Sequence, residues 1–195
     1  METVISTVTY PVPPVDRKEI LRYLSAAKET EELELLINES LKESESALSF
    51  KVCYGEFPVR RDGDSLDFGF CKITSADLSK NLNDCRRAVV FAATVGIKLD
   101  MLINKYSRIS PAKALVLQAI GNERIETLCD VFNAEIARKH GTTRPRFSPG
   151  YGDLPLKIQC DIFKTLDCGR NLGLTLNESL LMSPQKSVTA IIGID

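Results

Sequence analysis

Arg144-Pro-Arg-Phe-Ser-Pro-Gly-Tyr151, continued by Gly152-Asp-Leu-Pro155, separates two helical patterns and fits neither. A long helical run closes before it on Lys139-His140-Gly141, and another begins near Pro155. Two guanidinium groups, a phenol and a Pro-Gly turn are therefore set where two helix ends meet. Arginine offers a flat, forked donor suited to carboxylate or phosphate, and Gly150 lets backbone approach a ligand where a side chain would block it. The residues alone leave two readings open: a loop that holds a small acidic molecule, or a solvated connection whose apolar parts fold back on the core.

The preceding run starts at Ser110-Pro111, a cap followed by proline in the first turn. It continues without a breaker to His140-Gly141, a cationic end with a glycine stop. Leu117, Gly121, Ile125, Leu128, Phe132 and Ile136 recur at helical spacing and form one buried stripe, with Gly121 permitting a close crossing. Glu123, Glu126, Asp130 and Asn133 line another face. Such a row is ordinarily a solvated acidic face, and it matters for function only if it turns toward the arginine loop. After the loop, Asp153 and Pro155 start a helix through Leu166, glycines within 166–176 mark a turn, and 180–183 and 187–194 read as short strands around Pro184-Gln185.

Working toward the N-terminus, residues 87–93 are apolar without alternation, which predicts a buried strand followed by a helix. The period of two over 50–59 and again over 66–70, with Arg60-Arg-Asp-Gly63 between, predicts an antiparallel hairpin. A helix is expected over 75–82. Residues 30–41 and 17–25 form amphipathic helices, the former opening on Glu29, Glu31, Glu32 and Glu34, whose charge suits a helix start. Residues 1–10 predict a strand. Helices and strands cluster instead of repeating as βαβ units, so the expected fold is α+β: one domain over 1–195 with a twisted, largely antiparallel sheet and flanking helices.

The 195 residues are 44% hydrophobic and 26% charged, and 25 Lys+Arg against 26 Asp+Glu leave a formal net charge of -1. No basic field exists to draw in nucleic acid or anionic lipid. The first ten residues lack the basic start and apolar run of a signal peptide, and no segment has membrane-spanning length, so the expected location is cytoplasmic. Six scattered cysteines and a single histidine supply no metal-ligand spacing, and the thiols read as reduced, buried small hydrophobes.

The ordered motifs Arg146-x-x-Pro149-Gly150-Tyr151, Leu172-Gly-Leu-Thr-Leu-Asn-Glu178-Ser and Met182-x-Pro184-x-x-Ser187-Val188, with Ile125-Glu126-x-x-x-Asp130 on the long helix, resemble the activation (reactivation) domain of cobalamin-dependent methionine synthase. The likeness spans about 110–194, and 1–109 carry no motif that aligns. It implies an S-adenosylmethionine site at Arg146, Gly150 and Tyr151, with the backbone of Phe147, Ser148 and Pro149 along the ligand and Glu126 and Asp130 as polar partners. It also implies cobalamin carried by a partner: a corrinoid protein, or a methionine synthase lacking this domain. In that family an electron from a flavodoxin-type donor and a methyl group from S-adenosylmethionine return cob(II)alamin to methylcobalamin. The cofactors carry the reactivity, so no catalytic side chain and no protein-bound metal is expected. The chain departs from the family in having no tryptophan, and hence no Asp-Trp-Thr-Pro-type acidic segment near its start. A docking module for a corrinoid protein that no longer binds S-adenosylmethionine is the alternative reading. An anion-handling enzyme built on His140, Arg144 and Arg146 ranks last.

Overall fold

The computed structural model describes residues 3–26 and 30–195; the first two residues of the expected N-terminal strand and Glu29 of the acidic helix start lie outside the described residues. The strands of the main sheet are β1 (Ser6–Tyr10), β2 (Phe50–Pro58), β6 (Arg87–Thr94) and β9 (Ser187–Ile194), in the order β1-β2-β6-β9 with every neighbour antiparallel. The remaining strands are short: β3 (Arg60–Asp62), β4 (Ser65–Asp67) and β5 (Lys72–Thr74) form a second sheet, and β7 (Thr175–Leu176) pairs with β8 (Met182–Ser183). Helices are α1 (Arg17–Tyr23), α2 (Glu31–Ser44), α3 (Ala76–Asn81), α4 (Ile97–Ile109), α5 (Pro111–His140), α6 (Ile158–Thr165) and α7 (Cys168–Leu172). The expected α+β architecture, with a largely antiparallel sheet between helices, is what the chain forms.

Strand β6 explains why its sequence does not alternate: both faces of the sheet are covered. Ala88, Val90 and Ala92 enter one core with Phe57, Leu78, Ile162 and Leu166. Val89, Phe91 and Ala93 enter another with Leu99, Leu117, Leu128, Phe132 and Ile136. The apolar stripe of α5 therefore lies on the sheet as its spacing required, and a Cβ on Gly121 would fall 2.9 Å from Leu99 Cδ2. The opposite side of α5 contributes Val116, Ala119 and Ile120 to a third cluster with Ile20 of α1 and Ile37 of α2. All six cysteines are free, and Cys53, Cys85, Cys129 and Cys168 are buried.

The expected hairpin does not form as drawn. Alternation shows that 50–58 is a strand but does not name its partner, and β2 finds longer partners in β1 and β6. Arg60–Asp62 stays extended, and the chain reverses at Gly63-Asp64, where Gly63 supplies a φ of +59, so that Asp62 faces Ser65. Two further boundaries move. The helix expected from Pro155 begins at Ile158, and the glycine turn of 166–176 holds the short α7 between left-handed Asp167 and Gly173.

Glu123 is also not part of a solvated face. It and Arg124 are 2% and 1% exposed. The Arg124 guanidinium donates to Pro13 O at 2.7 Å and Pro14 O at 2.8 Å while pairing with Glu123, and Glu123 Oε1 accepts from Asp16 N at 3.0 Å. This network fastens the Pro-rich crossover between β1 and α1 to α5. Removing one partner leaves the other charge buried alone, so Arg124→Ala is expected to lower unfolding free energy by roughly 3–5 kcal/mol in urea titrations. Arg22→Ala, at an exposed pair with Glu19, should barely move the urea midpoint.

Candidate functional site

The 143–147 segment is an extended strip along β9. Thr143 and Phe147 bridge antiparallel to Ile194 and Ile191; Arg144 N donates to Gly193 O at 3.0 Å, and Phe147 N to Ile191 O at 2.9 Å. Successive side chains of an extended strip leave on opposite sides. Phe147 packs into the core beneath α6, whereas Arg146 reaches α5.

There Arg146 Nη1 donates to Asp130 Oδ1 at 2.5 Å and Nη2 to Glu126 Oε2 at 2.6 Å. With the Asn133 amide oriented to satisfy its neighbours, its oxygen also accepts from Arg146 Nη1 at 2.8 Å. Glu126, Asp130 and Asn133 are spaced i, i+4 and i+7, so one face of α5 presents all three acceptors to one guanidinium. Burial opposes the charge on Arg146, but the hydrogen bonds to Asp130 and Glu126 outweigh it and raise its pKa above that of an ordinary arginine. The two carboxylates keep 69% and 44% of their side-chain surface against 24% for Arg146. Both anions thus remain accessible from solvent.

Beyond Arg146 the loop turns sharply. Gly150 has a φ of +91, its N–H donates to Leu154 O at 2.9 Å, and Tyr151 N donates to Ser148 O at 3.1 Å. Pro149 is buried, and Tyr151 is 63% exposed. The turn is tied down by Asp153, which does not cap the helix that follows it. Its carboxylate accepts from Ser75 Oγ, Ala76 N and Asp77 N at the start of α3. The Ser75 hydroxyl leads the groups that hold the Asp153 carboxyl below the usual carboxylate range. Gly152, at φ +52, leaves no room for a Cβ, which would lie on the Asp77 carboxylate. A cap supplied from 76 residues away has no local sequence signature, so the expected role of Asp153 at the start of the following helix gives way to one at the start of α3.

The sequence-derived site residues thus divide. Arg146, Glu126 and Asp130 are brought together, Gly150 and Tyr151 form the adjoining exposed turn, and Phe147 and Pro149 are its internal support. Arg144 donates to Asn83 O at 2.8 Å, and His140 Nε2 lies 3.2 Å from Glu56 Oε1. These two groups therefore face partners other than those of Arg146. Surface cavities of about 690 and 760 Å3 lie elsewhere, and neither is lined by Arg146, Gly150 or Tyr151. Among the described residues no helix is long and apolar enough to cross a membrane.

Sheet, helices and loop together define an α+β domain with an arginine-bearing turn braced between its longest helix and its sheet edge. This is the fold of the MetH reactivation domain: the crystal structure of that domain bound to AdoHcy superposes with a TM-score of 0.73 at 17% identity, covering 98% of this chain and 78% of that one. The likeness is one of fold, and it extends through the first half of the chain. No protein-family model matches the sequence, and no curated protein does.

The loop's anchorage predicts a pH signature. A carboxyl with a depressed pKa contributes stability above its unfolded value and loses it as the pH falls through its folded value. Wild type should exceed Asp153→Asn in urea midpoint at neutral pH, with the difference closing only below the ordinary aspartate range. Gly152→Ala should be destabilised by about 1–2 kcal/mol from the left-handed backbone alone, before any movement of Asp77.

Proposed function

We propose that this protein binds S-adenosylmethionine at the Arg146–Tyr151 turn and supports reductive methylation of cob(II)alamin on a separate corrinoid methyltransferase, such as a methionine synthase without a reactivation domain of its own. The observation that carries the reading is the convergence of Arg146, Glu126 and Asp130 beside the exposed Gly150-Tyr151 turn, on a fold shared with a domain crystallised with AdoHcy.

The donor set suits the ligand. Arg146 has the forked geometry for an amino-acid carboxylate, and Glu126 and Asp130 supply acceptors for the ammonium beside it. The exposed Tyr151 ring offers an aromatic face to adenine or to the sulfonium charge. At Gly150 the absence of a side chain lets the ligand lie against backbone. S-adenosylmethionine supplies the methyl group, which the partner's cob(II)alamin accepts together with one electron from a flavodoxin-type donor to give methylcobalamin and S-adenosylhomocysteine. The chain's own part is positional: it fixes the methyl donor in an orientation that the corrinoid face can meet, an effect that needs shape and no proton transfer. The Arg146 ion pairs hold that geometry before the ligand arrives, while the exposed flanks of Glu126 and Asp130 remain open to it.

The same ion pairs favour a second reading, in which Arg146 only braces the loop and the domain docks on a corrinoid protein without ligand. Calorimetric titration with S-adenosylmethionine separates the two. Saturable binding by wild type that weakens by about 10–100-fold in Arg146→Ala, as expected for loss of one charged hydrogen-bonded pair, supports the first. A folded wild type that binds none excludes it.

A further inference from the structure

The cavity of about 690 Å3 is lined by residues of β1, β2 and β6 and by the last turn of α5, and it contains none of the loop's signature side chains. Its volume lies within the range of small-molecule sites. Strand register assembles it: Ser6 faces Tyr54 across β1 and β2, and Arg87 faces Pro58 across β2 and β6. Side chains alternate along a strand, so Tyr54, Glu56 and Pro58 leave β2 on one side. That is the side covered by α5, whose Phe132 ring lies 5.1 Å from Tyr54. The end of the same helix brings Lys139 over Glu56.

Three permanent cations, Arg60, Arg87 and Lys139, share this wall with a single carboxylate, Glu56. Two positive charges are left in excess. Arg87 Nη2 donates to Glu56 Oε2, and Lys139 Nζ to Glu56 Oε1 at 2.6 Å. Burial opposes the charge on Glu56, but Lys139, His140 and Arg87 outweigh it and hold its carboxyl below the usual carboxylate range. Glu56 thus gathers two cations that would otherwise repel each other. It does not hide them: Arg87 and Lys139 keep 49% and 55% of their side-chain surface. The exposed Arg60 guanidinium has no hydrogen-bond or ion-pair partner among the described residues. Beside these charges the wall is apolar, formed by Val4, Tyr54, Phe57 and Pro58.

We infer that this cavity is a binding site for a small phosphate monoester on an apolar or aromatic body. A monoester is a dianion at neutral pH and matches the two excess charges. Guanidinium forks meet phosphate oxygens in pairs, and an ammonium adds a point charge. The apolar wall covers the body of the ester. A diester, such as a nucleic-acid backbone or a phospholipid head, carries one charge and matches less well. The Arg146 turn has the opposite balance, two carboxylates around one guanidinium, so a dianion selects the cavity over the turn.

The test is a titration of the 15N-labelled chain at pH 7.5 with phenyl phosphate and, in parallel, with methyl phenyl phosphate and inorganic phosphate, followed by amide shifts at Tyr54, Glu56 and Arg87. Phenyl phosphate should give saturable shifts there in the millimolar range or below, with each of the other two at least about 5-fold weaker. Arg60→Gln, which breaks no contact within the fold, should weaken phenyl phosphate by about 10-fold, and so should Lys139→Gln. Arg146→Ala should leave it unchanged, so that loss of the turn's ligand and loss of this one are told apart. Equal binding of monoester and diester, affinity unaffected by Arg60→Gln, or no saturable shift in folded wild type overturns the inference.

Discussion

The packing of α5 across the central strands is the constraint on which the rest of the structure depends. One stripe of this helix, from Leu117 to Ile136, fills the core over β6 and β9; its opposite side buries Val116, Ala119 and Ile120 against α1 and α2. Once both sides are fixed, the helix cannot rotate. The third face, carrying Glu126, Asp130 and Asn133, must then point toward the sheet edge along which 143–147 runs. The position of Arg146 is thus a consequence of apolar packing that is itself remote from any ligand. A rotation of α5 by one residue, about 100°, would separate every acceptor from the guanidinium.

The loop is held from two further directions by interactions of different kinds. Backbone pairing to Ile191 and Gly193 fixes its first half, and the Asp153 carboxylate on α3 fixes its second. Between these anchors Gly150, Tyr151 and Gly152 are left exposed. Preorganisation of this kind lowers the ordering cost of binding, which fits the proposed role of orienting a reactive group carried by a ligand.

What the sequence made legible follows the range of each interaction. The α5 stripe, its Gly121 crossing and the doubly buried β6 were readable because helix and strand periods register burial directly. The acidic row on α5 was visible too, but whether it faced water or Arg146 depended on tertiary placement, and Glu123 went to a buried pair with Arg124 instead. Alternation is blind to pairing, so the period over 50–58 does not name β1 and β6 as its partners, and the acceptor role of Asp153 has no local signal because the helix it caps lies 76 residues earlier. The motif order after residue 110 pointed to the reactivation-domain fold, and the fold's extension into the first half emerged only from the structure.

The central claim is that this chain delivers a methyl donor to cobalamin on another protein. The most direct measurement is the absorption spectrum of a corrinoid methyltransferase held as cob(II)alamin, mixed with a flavodoxin-type reductant and methyl-labelled S-adenosylmethionine. Labelled methylcobalamin should accumulate when the wild-type chain is added and should fall sharply with Arg146→Ala. Equal methylcobalamin with and without the chain would contradict the account.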